Sequence, residues 1–140
     1  MKKVLLTIII LIYPIVVHNS NHYALYIKAE NPIQAYSDLV YAINMVEAGV
    51  DSTSYDILAY NEPEGARGAF QIRQCKLDDY NRLTGKNIQP EDLFDYEISY
   101  NIFLYFAREY GSDYEKIAKK WNGSGPMTEE YWKKVRKLLQ

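Results

Sequence analysis

The segment PEDLFDYEISYNIFLYFAREYG, residues 90–111, carries the strongest helical pattern in this chain. Pro90 and the two acidic residues after it are typical of the first turn of a helix. Apolar side chains then recur at helical spacing until Gly111 ends the pattern. The recurring apolar positions are Leu93, Phe94, Ile98, Ile102, Tyr105 and Phe106. The segment therefore predicts one long helix that runs to Tyr110 and is buried along one side.

A second helix is predicted upstream, where Asn31 and Pro32 supply an N-cap and a first helical residue. Apolar side chains again recur at helical spacing, and Gly49 ends the helix. The recurring positions are Ile33, Tyr36, Val40, Ile43 and Val46. Glu47 lies four residues after Ile43 and so shares the side of the helix that faces the core. The pattern thus puts one acid on a buried helix face, close to the helix end.

Shorter helices and one irregular insert complete the predicted fold. Further helices are predicted at 75–83, at 113–120 and from a cap at Thr128 onward. Residues 50–65 are rich in Asp, Ser, Asn, Pro and Gly, which predicts a long loop or a short hairpin. Residues 66–72 are small and apolar, and predict a short strand or the approach to a helix. The fold class is mostly α (α+β), a single helical domain with a small irregular or β insert after the Glu47 helix.

The N-terminal residues have the composition of an export signal. Two lysines precede an apolar run at residues 4–17. This run is shorter than the roughly 20 residues of a bilayer-spanning helix and matches the hydrophobic region of a signal peptide. We predict a signal peptide or, alternatively, an uncleaved N-terminal anchor at 1–22, a stub at 23–30, and the folded domain at 31–140. The predicted location is exported, either periplasmic or secreted.

Composition excludes several classes of function. Without the two lysines of the leader, the chain has 14 basic and 18 acidic side chains, and this negative net charge argues against nucleic-acid binding. Both histidines, His18 and His22, lie beside the apolar run, and Cys75 is the single cysteine. A Ser-His-Asp triad, a Cys-His pair and a His-rich zinc site therefore lack the residues they need. We predict no cofactor and no metal, and we expect Cys75 to be a buried, small apolar side chain.

Glu47 is the residue best suited to covalent chemistry. A carboxyl group on a buried helix face loses hydration in its charged form, which raises its pKa. With a raised pKa it can stay protonated near neutral pH and give its proton to a leaving oxygen, as a glycosidase acid does. The alternative is a solvated Glu at a frayed helix end, which for this position alone is the commoner case.

Two glycine-marked segments supply candidate binding residues. The run GARGAFQI, residues 65–72, has two glycines that allow close backbone approach, and the amide of Gln71 could bind sugar hydroxyls or N-acetyl groups. Further along, Trp121 and Asn122 place an aromatic ring and an amide at the end of a helix. A tight turn, a helix C-cap and a Trp in the core are the structural alternatives. Taken singly, none of these signals is specific.

The order of the segments is more informative than any one of them. Glu47 is followed by GARGAFQI at 65–72, by DLFD at 92–95 with Asn101 shortly after, and by WNG at 121–123. This order resembles the soluble lytic transglycosylase domain of the lysozyme-like superfamily, over nearly all of the predicted exported part. The family pattern is Glu-Ser-Gly, then Gly-Ala-x-Gly-Leu-Met-Gln-Ile, then an Asp-Leu-Phe-Asp-like stretch before a long helix, then Tyr-Asn-Gly.

The resemblance implies a set of site residues. The single catalytic Glu of the family corresponds to Glu47. The implied substrate-binding residues are Gly68, Phe70, Gln71, Trp121 and Asn122. Ala48 departs from the family, which has a Ser there whose hydroxyl is thought to position the substrate. Ala69-Phe70 replaces Leu-Met, and Trp121 replaces a Tyr whose hydroxyl would lie near the acid.

The activity that the resemblance implies is that of a peptidoglycan lytic transglycosylase. Such an enzyme cleaves the β-1,4 bond between N-acetylmuramic acid and N-acetylglucosamine with one Glu and releases 1,6-anhydro products. Its partners would be peptidoglycan glycan strands and no nucleic acid. An envelope-spanning assembly is a further candidate partner, and membrane contact would come only through an uncleaved N-terminal segment.

Two alternatives stay open. A second acid facing Glu47 across a bound sugar, with room for water, would make the protein a lysozyme-type hydrolase of the same bond. The candidates for that acid are Asp51, Asp56, Glu62 and Glu64. The changes at Ala48 and Trp121 motivate the other alternative, a non-catalytic glycan-binding or assembly module with the same fold.

Overall fold

The computed structural model describes residues 36–139, and this part of the chain is mostly helical, as the sequence predicts. Its α-helices are α1 (Ser37–Ala48), α2 (Gln74–Thr84), α3 (Tyr96–Tyr110), α4 (Tyr114–Asn122) and α5 (Thr128–Leu138). A 3-10 helix spans Pro90–Phe94, and the strands β1 (Tyr60–Asn61) and β2 (Ala66–Arg67) pair antiparallel. None of these described helices is both long and apolar enough to cross a membrane.

Helix α1 carries the candidate acid. Leu39, Ala42 and Ile43 are fully buried, so one side of the helix faces the core as the apolar spacing predicts. Gly49 follows the last helical residue in an extended conformation, and Glu47 lies in the last turn. The predicted N-cap at residues 31 and 32, the signal peptide or anchor, and the stub lie outside the described residues.

The long helix predicted from residue 90 is in fact two elements. Its first residues form the 3-10 helix, where the backbone N–H of Gln89 donates to Asp92 Oδ2 at 2.8 Å. The chain then turns at Asp95, whose carboxylate accepts a hydrogen bond from Ile98 N at 3.2 Å and caps α3. The side chains of Asp92 and Asp95 therefore accept hydrogen bonds from the backbone and divide into two elements an apolar stripe that spacing alone predicts as one helix. Gly111 ends α3, as predicted.

The other predicted helices are present with small changes at their ends. Helix α2 ends at Gly85, whose φ of 70° is the left-handed conformation that glycine favours. Asp113 caps α4 by accepting from Lys116 N at 3.2 Å. Thr128 is the first helical residue of α5 and not its cap, because its hydroxyl donates to the carbonyl of Gly125 at 2.8 Å.

The core brings α5 against the helix that carries the acid. Helix α5 packs on both α1 and α4, and its residues Tyr131 and Val135 are buried. An aromatic cluster fills the centre, with ring centroids 5.1 Å apart between Phe70 and Phe103 and again between Phe103 and Trp121. The hairpin of β1 and β2 lies between α1 and α2, and β2 contacts the 3-10 helix. These contacts fix the position of the Glu47 side chain relative to α5 and the hairpin.

Candidate active site

Glu47 lines a cavity of about 400 Å³ between α1, α2, α5 and the hairpin. Its side chain is only partly exposed. The hydroxyl of Tyr131, which reaches across from α5, donates a hydrogen bond to Glu47 Oε1 at 2.8 Å. The acid is therefore held in a defined orientation at the cavity wall, which differs from a solvated Glu at a frayed helix end.

The environment of Glu47 raises its pKa to about 7, chiefly because burial removes hydration from the carboxylate. The hydrogen bond from Tyr131 and the charges of Arg73 and Lys76 oppose this rise, whereas the charge of Glu64 adds to it. The direction of this shift is the one that the sequence predicts for an acid on a buried helix face. With this pKa the group can both give and take a proton near neutral pH.

A second cavity, of about 660 Å³, is also lined by Glu47. It shares Glu47, Asn61 and Gln71 with the first cavity and continues along the loop after α1 and along β1. Because the two cavities share these three residues, they adjoin at the acid, and we describe them together as one groove. A groove open on both sides of an acid can hold an extended chain on either side of a scissile bond.

Gln71 lies at the meeting point of the two cavities, as predicted for a groove residue. Its backbone has a φ of 47°, a strained conformation for a residue other than glycine. Its side-chain nitrogen donates to the carbonyls of Ala59 and Gly68, at 3.2 and 3.0 Å. Within residues 36–139 its Oε1 accepts no hydrogen bond, so this oxygen is free to accept one from a ligand.

Two predicted substrate-binding residues lie in the core and not along the groove. Gly68 is buried with a φ of 74°, and a Cβ there would overlap the carbonyl oxygen of Leu93. Phe70 is completely buried, with its ring against Phe103 and Trp121. Neither residue lines the groove. The turn after β2 packs inward on the 3-10 helix, so its glycine serves close backbone packing rather than ligand approach.

Trp121 does not provide the exposed stacking ring that the sequence predicts. The residue is only 5% exposed, and its ring packs edge-on against Phe103. The ammonium group of Lys76 lies 4.5 Å from the centroid of the indole ring, a cation–π contact that covers one face. Trp121 is therefore mainly a core residue that contributes to the cavity wall, whereas the neighbouring Asn122 is partly exposed and lines the cavity as predicted.

The residues that surround the acid from other elements are not indicated by the sequence pattern. Tyr131 supplies a hydroxyl to Glu47, although Trp121 lacks the one that the family Tyr would carry. The spacing of Tyr131 and Val135 indicates a buried face of α5, but it does not tell which helix that face meets. Arg73, Lys76 and Lys134 also line the cavity of the acid.

Cys75 was expected in the core, yet it is exposed in the first turn of α2 and lines the same cavity.

The four candidates for a second acid differ in where they lie. Asp51 accepts hydrogen bonds from the backbone and side chains of Thr53 and Ser54, which lower its pKa to about 2, and it lines neither cavity. Asp56 and Glu62 line the second cavity. Glu64 lines the cavity of the acid, and its Oε2 accepts from Arg73 Nε at 2.9 Å.

Within the described part of the chain, no three His, Cys, Asp or Glu side chains gather as they would around a metal ion. Comparisons of the sequence with protein-family models and with curated proteins return no match, and neither does comparison with solved structures.

Proposed function

We propose that this protein is a peptidoglycan lytic transglycosylase with a lysozyme-like fold. The observation that carries the proposal is the Glu47 carboxyl group, which is partly shielded from water, accepts a hydrogen bond from Tyr131 and lies where the two cavities of the groove adjoin. Burial raises the pKa of this group to about 7. The order of Glu47, the GARGAFQI turn and the WNG helix end adds the family resemblance. The substrate would be the β-1,4 bond between N-acetylmuramic acid and N-acetylglucosamine.

The proposed reaction uses one carboxyl group twice. Protonated Glu47 gives its proton to the glycosidic oxygen while the bond from that oxygen to C1 of the muramic sugar breaks. The N-acetyl group of the same sugar stabilises the positive charge that develops at C1. The Glu47 carboxylate then takes the proton of the sugar's own 6-hydroxyl, whose oxygen bonds to C1. The products are an N-acetylglucosamine end with a free 4-hydroxyl and a 1,6-anhydro muramic end.

Two groups in the groove support these steps. The Tyr131 hydroxyl donates to Glu47 Oε1, which orients the carboxyl group and stabilises its charged form after proton transfer. The free Oε1 of Gln71, where the two halves of the groove meet, can accept a hydrogen bond from a sugar hydroxyl or an N-acetyl N–H.

A lysozyme-type hydrolase is the second candidate, and one observation favours it. Glu64 lines the same cavity as Glu47, and a second carboxylate could activate water or stabilise charge at C1. Its ion pair with Arg73 holds it at the hairpin side of the cavity. We favour the transglycosylase because that reaction needs no second carboxylate.

A non-catalytic glycan-binding module is the third candidate. It was motivated by Ala48 and Trp121, which lack hydroxyls that the family pattern has near the acid. Tyr131 brings a hydroxyl to Glu47 from another helix, which weakens the argument from Trp121. Ala48 is buried and lines the second cavity, and its methyl side chain cannot replace the Ser hydroxyl of the family pattern.

The deciding experiment is digestion of purified sacculi followed by mass spectrometry of the soluble muropeptides. We expect the protein to release 1,6-anhydro muropeptides and Glu47→Gln to release none while keeping its helical circular-dichroism spectrum. The matched control is Glu97→Gln, which neutralises an exposed carboxylate on α3 that lines neither half of the groove.

Each other outcome points to a different function. Reducing muramic ends that disappear in Glu64→Gln would favour the hydrolase. Sacculus binding with no soluble product would favour the glycan-binding module. Product release that is unchanged in Glu47→Gln would remove the assignment of the acid.

A further inference from the structure

The two halves of the groove carry opposite charges. The half with a volume of about 400 Å³ is lined by three basic side chains, Arg73, Lys76 and Lys134, and we call it the basic arm. The other half is lined by Asp56 and Glu62 and by no basic side chain, and we call it the acidic arm. The chain as a whole has a formal net charge of −2, so the basic arm is a local departure from the average.

Two of the three basic groups in the basic arm form no ion pair within residues 36–139. Arg73 is paired with Glu64. The ammonium group of Lys76 lies over the rings of Trp121 and Phe106, 4.5 and 5.1 Å from their centroids. Lys134 is exposed and forms no ion pair with any residue of the described part. Among the described residues, three basic side chains line this arm against two carboxyl groups, those of Glu47 and Glu64, and burial raises the pKa of Glu47.

Lys134 lines the same cavity as Glu47. It follows Tyr131 by three residues on α5, so the two side chains share one face of the helix. The hydroxyl of Tyr131 is the group that donates to Glu47. A negatively charged substituent held by Lys134 would therefore lie in the cavity that Glu47 lines.

We propose that the basic arm is a subsite for a carboxylate carried by the glycan, with Lys134 as its main ligand and Lys76 as a second. This inference builds on the proposed function and adds to it the charged substituent that the groove selects. It also sets the direction of the strand, with the carboxylate-bearing muramic sugar in the basic arm and an uncharged sugar in the acidic arm. The carboxylate comes from the lactyl group of a stripped strand or from the peptide stem of an intact one.

The test measures binding, so that it does not depend on turnover. Every protein carries Glu47→Gln, and dissociation constants are measured for three soluble ligands. These are peptide-bearing glycan strands, amidase-stripped strands with free lactyl carboxylates, and neutral chitin oligosaccharides. The test variant is Lys134→Glu. The matched control is Lys137→Glu, the same charge change at an exposed position of α5 that lines neither arm.

We expect Lys134→Glu to weaken binding of the charged strands by about fivefold, the effect of losing an ion pair worth roughly 1 kcal/mol. Binding of the chitin oligosaccharides should change by less than twofold, and Lys137→Glu should be close to the parent for all three ligands. Added salt should weaken binding of the charged strands more in the parent than in Lys134→Glu. A loss restricted to one of the two charged ligands would identify the lactyl or the peptide carboxylate as the group bound.

Other results separate this inference from the proposed function. Equal weakening by Lys134→Glu and Lys137→Glu, or equal weakening for the neutral oligosaccharides, overturns the subsite and leaves the transglycosylase proposal standing. If binding is charge-selective and depends on Lys134, but the protein with Glu47 intact releases no muropeptide, the proposed reaction is overturned and the subsite stands. Failure to bind any of the three ligands overturns both.

Discussion

Glu47 is subject to two opposing effects, since burial raises its pKa and the hydrogen bond from Tyr131 lowers it. The partly buried hydrogen bond between these residues joins the first and last described helices, and its two partners are 84 positions apart in the sequence. A hydroxyl that stabilises the carboxylate keeps the acid strong enough to release its proton, while burial keeps it protonated near neutral pH. The balance between the two sets the pH range over which the acid can act.

The first prediction concerns Tyr131→Phe, which removes the hydroxyl and keeps the ring. Because the hydrogen bond lowers the pKa of Glu47, its loss should raise that pKa, and the fall in activity at high pH should move up by about one pH unit. The measurement is the pH profile of kcat/KM for muropeptide release. Tyr36→Phe is the control, because that hydroxyl donates to the carbonyl of Gly111, away from the groove. A profile that stays in place, or moves to lower pH, would contradict the role given to Tyr131.

At the scale of the elements, the junction between the hairpin and the 3-10 helix holds Gln71 in the groove. The carbonyl of Gly68 accepts from both the backbone and the side-chain nitrogen of Gln71 at 3.0 Å. Gly68 itself packs against the backbone of Leu93. The glycine is needed twice, for its positive φ and for the space of its missing side chain.

The second prediction compares alanine at two glycines of this segment. Gly68→Ala should lower the free energy of unfolding by about 3 kcal/mol, because backbone strain adds to an overlap with Leu93. Gly65→Ala is the matched control: its φ of 61° is similar but no atom lies near the added Cβ, so the cost should be about 1 kcal/mol. Urea denaturation at a single pH measures both. Equal costs would show that the contact with Leu93 is not a constraint.

At the scale of the whole molecule, the buried acid links stability to pH. The pKa of Glu47 is about 7 in the folded protein against a reference value of 4.5. Between these values the folded state binds more protons at this group than the unfolded state does. The unfolding free energy therefore falls as pH rises from about 4.5 to about 7, by at most about 3 kcal/mol.

The third prediction follows from this linkage. Glu47→Gln removes the ionisable group, so its stability relative to the parent should rise between pH 4 and pH 8 by up to about 3 kcal/mol. The measurement is the difference in unfolding free energy between the two proteins at both pH values. Glu97→Gln at its exposed position on α3 is the control for the general effect of removing a carboxylate. A difference that is constant with pH would mean that Glu47 is not shielded from water.

The helices could be predicted from the sequence because their signals are local. Apolar spacing together with Gly49, Gly85 and Gly111 located three helix ends, and the GARGAFQI run marked the turn that contains a positive-φ glycine. The break at Asp95 was missed because capping by an acidic side chain competes with a continuous apolar stripe, and spacing registers only the stripe. Local chemistry also marked Glu47 as a candidate for a shielded acid, since its place on a helix face decides how much hydration it loses, but the position alone left the solvated alternative open.

Only the tertiary structure decided which side chains share the groove. Phe70 and Trp121 are large and apolar, and a sequence allows them either in a groove or in the core; packing against Phe103 placed both inside. Tyr131 contacts the acid and Lys134 lines its cavity because α5 packs on α1, a contact between residues far apart in the chain. Helix spacing tells which face of an element is buried, but the partner of that face depends on how all the elements pack, and that information is not local.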